Sequence, residues 1–79
     1  MSDGEGEFLA SLTETSLYSI GAYFADGHPD LVDDVIEQAQ DIEAVGLARY
    51  AEQEGISLQS AFQTLVTGLA VRYYKAVAR

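Results

Sequence analysis

The side chains best suited to chemistry gather around one turn: Asp26, His28, Asp30, Asp33 and Asp34. Carboxylates around a single imidazole are the donor types of a hard-cation or zinc site. Their spacing matches no calcium loop, however. Asp33, Asp34 and Glu37 fall in the first turns of a helix, where the dipole favours negative charge. Helix capping is therefore the expected role, and no metal site is expected. His28 is the only histidine and there is no cysteine. A nucleophile would have to be a hydroxyl activated from another helix, and Ser11, Ser16, Ser19, Ser57 and Ser60 read as caps or polar-face residues. Catalysis needs convergent polar groups in a cleft, and the supply is too thin. The chain is expected to be no enzyme and to carry no cofactor.

A second patch is basic: Arg72-Tyr73-Tyr74-Lys75 with Arg79, which leaves Arg49 as the one cation elsewhere. Cations near a helix C-terminus complement its dipole. The same patch has the right sign to dock an acidic segment, either a partner's or Met1–Glu7 of a neighbouring copy. Tyr18, Tyr23 and Tyr50 suit core rims or a partly wet interface.

Three helices are expected to position these groups. Residues 1–7, polar, acidic and glycine-bearing, read as a flexible tail, and residues 8–79 as one domain. The first helix spans about 9–25, with Leu9, Leu12, Ile20 and Tyr23 or Phe24 at helical spacing beside Leu17 and Gly21. Its start is expected between Phe8 and Ser11, where Ser11 and Glu14 have the form of a capping box. Gly21 beside Ala22 suits close helix approach. The run Asp26-Gly27-His28-Pro29-Asp30 ends that helix and begins the next, since glycine suits a left-handed cap and proline can only open a helix. The second helix spans about 30–54 on the stripe Leu31, Val35, Ala39, Ile42 and Val45 or Gly46, widened by Val32, Ile36, Leu47, Tyr50 and Ala51, with a turn, kink or loosening expected near Ala44-Val45-Gly46. Gly55, Ile56 and Ser57 supply a stop, a hydrophobic contact and a new cap.

The third helix, about 57–78, is the longest and organises the chain. Leu58, Phe62, Leu65, Leu69, Tyr73 and Ala76 form one apolar stripe. Val66, Ala70, Tyr73 and Val77 form a second beside it. Two stripes imply two packing partners, the chain's own helices and another protein surface. The expected interface is Leu58, Phe62, Leu65, Val66, Leu69, Ala70, Tyr73, Tyr74 and Val77.

The segment Ala51-Glu52-Gln53-Glu54-Gly55-Ile56-Ser57 resembles the turn of helix-turn-helix and ribbon-helix-helix DNA-binding proteins, a likeness extending over roughly residues 47–65. It implies a reading helix presenting Leu58, Gln59, Ser60 and Gln63. The pattern departs where phosphate would be held. The acidic Asp30–Asp34 occupies the place of a ribbon-helix-helix protein's basic strand, and no Arg or Lys lies on the reading face.

Composition narrows the classes further. Thirteen acidic against four basic residues give a formal charge of −9, a penalty for phosphate-backbone binding. The acid-rich, lysine-poor balance is similar to that of proteins from salt-loving archaea, where concentrated salt screens self-repulsion. With 48% hydrophobic residues the chain has enough apolar content to fold. At 79 residues one core supplies only about 3–5 kcal/mol. No apolar run is long enough to span a bilayer and no secretion signal is recognisable, so the cytoplasm is the expected location.

The expected architecture is all-α: a helical hairpin crossed by a long C-terminal helix, completed by dimerisation. The expected function is a small acidic non-enzymatic assembly module that self-associates or binds another protein through that helix. A helix-turn-helix-like transcription regulator and an acidic nucleic-acid mimic are the alternatives.

Overall fold

A computed structural model of the chain describes residues 13–78. Those residues form four α-helices and one 3-10 turn: α1 (Glu14–Gly27), the turn Pro29–Leu31, α2 (Val32–Val45), α3 (Leu47–Glu54) and α4 (Leu58–Val77). No helix among them is long and apolar enough to cross a membrane.

Helix α1 begins at Glu14, five residues after the expected start. Thr13 is extended (φ −91°, ψ 164°) and its hydroxyl accepts from the Ser16 amide, satisfying an amide the helix leaves without a partner. The proposed box between Ser11 and Glu14, with the start between Phe8 and Ser11 and the tail at 1–7, lies outside the described residues. At the other end His28 donates its amide to the Phe24 carbonyl at 2.7 Å, and Pro29 opens the 3-10 turn that leads into α2.

The expected single helix over 30–54 is two helices. Gly46 adopts φ +97° and ψ 147°, a conformation helices cannot hold and one that residues with a Cβ rarely adopt. It closes α2 by donating to the Ile42 carbonyl and opens α3 by accepting from the Tyr50 amide. The apolar stripe is thereby re-aimed rather than lost, since Ile42 and Tyr50 end up in the same buried cluster.

Between α3 and α4, Gly55 is left-handed (φ 68°). The Ile56 amide reaches the Ala51 carbonyl at 3.0 Å, the long closing bond of a Schellman stop. Ser57 then caps α4 by accepting from the Ser60 amide at 3.0 Å. Loss of this cap in Ser57→Ala is expected to cost about 1 kcal/mol, lowering the melting temperature by roughly 4–8 °C in a domain of this size. Thermal unfolding followed by circular dichroism checks it. An unchanged midpoint would show that α4 is held at this end by packing alone.

Helix α4 is the hub. Both α1 and α2 make their extensive contacts with it, and α3 leans on its N-terminal half. The expected hairpin of the first two long helices is not formed: α1 and α2 scarcely touch, and each lies against α4 instead. The arrangement depends on small residues at the crossings. A Cβ on Gly21 would collide with the Ala70 carbonyl oxygen and lie 2.6 Å from the Tyr74 Cβ. A Cβ on Gly68 would collide with the Ala39 Cβ and lie 2.7 Å from the Val35 carbonyl oxygen. One glycine on α1 and one on α4 therefore let three backbones approach. The core that results is Val35, Ala39, Ile42, Tyr50, Ala51, Ala61, Leu65, Val66, Ala70 and Val71.

Candidate functional site

The nine expected interface residues divide into three groups. Leu65, Val66 and Ala70 are buried within the single chain at 9%, 8% and 0% exposure. They are core residues, which for Val66 and Ala70 corrects the expectation of an outward second stripe, while Val77 of the same stripe is exposed. The reason is geometric: α1 and α2 cover α4 from two sides, so one chain supplies the packing partners of both stripes. Leu69 packs half-buried against the core cluster, and Tyr74 meets Tyr18 edge to face at 5.0 Å between ring centroids. The remaining four reach solvent in different degrees. Phe62 and Tyr73 are half-buried, while Leu58 and Val77 are 45% and 50% exposed.

A groove lies along the α1–α4 side. One open depression of about 340 Å³ is lined by Gln59, Phe62, Gln63, Val66 and Thr67. Another of about 390 Å³ is lined by Ser19, Ile20, Tyr23, Phe24 and Thr67. Thr67 is common to both, so the two are neighbours. Their volumes fall in the range of roughly 300–1,000 Å³ typical of ligand-sized sites. Among the described residues the lining is apolar with amides and hydroxyls, and no charged side chain belongs to it. Reading the sequence for α4 alone missed the α1 wall. Its signal was present in the alternative Tyr23 or Phe24, because a helix with both at i, i+3 and i+4 from Ile20 has a wider apolar face than one core contact needs. Tyr23 is 83% exposed.

Two cations of the basic patch pair with the chain's own acids on α2. The Arg72 guanidinium pairs with Glu43 of α2 at 3.2 Å, and the Lys75 ammonium pairs with Asp33 at 3.3 Å. Both pairs are solvent-exposed and so worth about 0–1 kcal/mol each, but they occupy two of the cations expected to receive an acidic segment. Arg79 lies outside the described residues. At the 26–34 turn, His28 stacks tilted on Phe24 with ring centroids 5.2 Å apart. Among the described residues no group of three or more metal-ligating side chains converges.

The 51–57 turn forms as its residues dictate, and Gln59, Ser60 and Gln63 are exposed. Glu52 and Glu54 are exposed beside them, and like charge at that place repels a phosphate backbone.

Tyr50 carries the one resolved shift among the described ionisable groups. Burial pushes its phenol above the ordinary value of 10.0, and the carboxylates of Glu54 and Asp41 add to the effect. The neutral phenol is thus favoured in the folded chain. That contribution to stability is fully present below about pH 10 and is lost as pH rises through the folded value. Tyr50→Phe is expected to flatten part of the alkaline loss of stability between about pH 9 and 11, as measured by urea titrations. Identical slopes for the two proteins would contradict the shift.

Comparison with known protein families, with curated proteins and with solved structures finds no match. The functional reading therefore rests on the surface itself.

Proposed function

We propose that the chain is a small acidic, non-enzymatic protein–protein interaction module that self-associates through the face where α4 meets α1, the copies completing one another's apolar surface. The observation that carries this reading is the pair of depressions that share Thr67, one reaching Ile20 and Phe24 and the other Phe62 and Gln59, with no charged side chain among their described lining residues. Leu58 and Tyr23 extend its apolar character outward at 45% and 83% exposure. A chain of 79 residues has a core worth only about 3–5 kcal/mol, so covering more apolar surface would add substantially to its stability. Two chains each carrying −9 repel one another, and salt removes most of that cost by shortening the Debye length to about 3 Å at 1 M.

The test is solution mass by light scattering after gel filtration, at low salt and at roughly 2 M potassium chloride, where screening is nearly complete. A dimer that strengthens with salt is expected, and Tyr23→Asp should return it to monomer by placing a charge on the apolar face. A folded monomer under both conditions at high protein concentration would refute self-association.

A further inference from the structure

We propose that α3 is a hinged flap on the core, lifted as a unit by repulsion between carboxylates at its seam with α2 and laid down by salt. Such a flap operates whether or not the depressions on α1 and α4 receive a second copy.

The helix is weak on its own. Its 8 residues fall short of the roughly 12–15 that an isolated helix needs in water. Gly46 gives its first turn no side-chain cap. Its charges also oppose the helix dipole at both ends: Arg49 stands in the first turn, and Glu52 and Glu54 stand in the last, the reverse of what the dipole favours. α3 therefore keeps its shape by lying on the rest of the chain. What holds it there is apolar and small in extent. Tyr50 and Ala51 are buried in the cluster with Ile42, Ala61 and Leu65, and Leu47 packs half-buried against it. The two ion pairs among the described residues tie α2 to α4, and neither involves α3.

Both ends of α3 are jointed. Gly46 (φ 97°) and Gly55 (φ 68°) bound it, and they are the two described residues with positive φ. A Cβ at either would meet nothing within 4 Å. Packing does not fix these joints, and glycine's wide conformational range lets them absorb a swing of the segment between them.

Charge supplies the opening force. Asp41 of α2 and Glu54 of α3 both act on the phenol of Tyr50, so two carboxylates from the two sides of the seam gather about one ring. Neither has a cation partner among the described residues. The Debye length is about 30 Å at 0.01 M salt, where these acids repel, and about 3 Å at 1 M, where the repulsion is screened. Lifting α3 uncovers Ile42 and Leu65, so the flap converts a fall in ionic strength into exposure of core surface.

The test is amide hydrogen exchange by NMR on the full chain at neutral pH, each rate divided by its value in an unfolded peptide of the same sequence and buffer. At roughly 0.01 M salt, where charges act over the longest range, the amides of residues 50–54 should exchange together. They should do so at least about tenfold faster than those of Ala39 and Val71, as a segment that opens without global unfolding does. Roughly 2 M potassium chloride should slow residues 50–54 severalfold. Asp41→Asn with Glu54→Gln, both at exposed positions, should slow them at low salt and remove most of the further effect of salt. A salt-induced dimer through α1 and α4 leaves this readout standing, because residues 50–54 line neither depression. Exchange of residues 50–54 at the rate of Ala39 and Val71 would overturn the flap, since α3 would then open only with the whole chain. Faster exchange that neither salt nor the paired substitution slows would overturn its control by charge.

Discussion

Gly68→Val is expected to leave the chain mostly unfolded at 25 °C, although valine replaces a residue that by propensity should weaken a helix. Glycine in a helix interior costs about 1 kcal/mol relative to alanine, so any side chain at position 68 begins with a gain of part of that amount. The space decides the sign. A Cβ there collides with the Ala39 Cβ and lies 2.7 Å from the Val35 carbonyl oxygen. Backbone oxygen cannot rotate away as the end of a long side chain can, so α2 and α4 must separate. Overpacking of this kind costs about 1–3 kcal/mol for small additions, and valine adds two further methyl groups at the crossing. Against a total of about 3–5 kcal/mol the loss is nearly the whole stability. Gly68→Ala should show a smaller net loss, about 1–2 kcal/mol after its propensity gain. Gly27→Ala is the control, since a Cβ there meets nothing within 4 Å and its φ is not positive. It should be neutral or stabilising. Urea midpoints for the three proteins test the argument, and a Gly68→Val protein that melts where the parent does would refute the tight crossing.

These glycines show how far the sequence could be read. Gly55 and Ser57 were legible because each acts within a few residues of itself, through a left-handed stop and a hydroxyl cap. The length of α4 followed from uninterrupted apolar spacing and the absence of proline. Close approach at Gly21 was anticipated from the neighbouring small residue, but its partners Ala70 and Tyr74 lie on another helix and no local pattern names them. Gly46 could be seen as a weak point without showing that it breaks the helix, because the apolar stripe continues through it: Ile42 and Tyr50 serve the same cluster on either side.

The candidate site was harder for a related reason. Two apolar stripes on α4 are equally consistent with a partner molecule and with two helices of the same chain. Periodicity measures how much of a helix must be covered, and topology decides what covers it. Once α1 and α2 were found on separate sides of α4, Val66 and Ala70 were accounted for internally. An open depression remains on the first half of α4, lined by Gln59, Phe62, Gln63, Val66 and Thr67.

Ile42→Ala is expected to have an effect as large as the glycine substitution by the opposite mechanism. Ile42 is 1% exposed and clusters with Ala39, Tyr50, Ala51, Ala61 and Leu65. Much of that cluster is alanine, whose side chain has no rotamer with which to move into a void. A cavity at position 42 should therefore stay largely open, placing the cost towards the upper part of the usual range of about 2–5 kcal/mol. The chain should then be mainly unfolded in dilute buffer. Ile42→Val, which removes one methyl group, should lose about 0.5–1.5 kcal/mol and stay folded. Salt separates the packing defect from the charge background. Roughly 2 M potassium chloride should raise the midpoints of parent and Ile42→Val alike, because it screens the same −9 charge in both. The gap between them should persist, since a missing methyl group is not an electrostatic defect. A gap that closed in salt would mean that Ile42 acts through the spacing of the acidic helix surfaces, and the alanine-rich cluster would no longer account for what holds α2, α3 and α4 together.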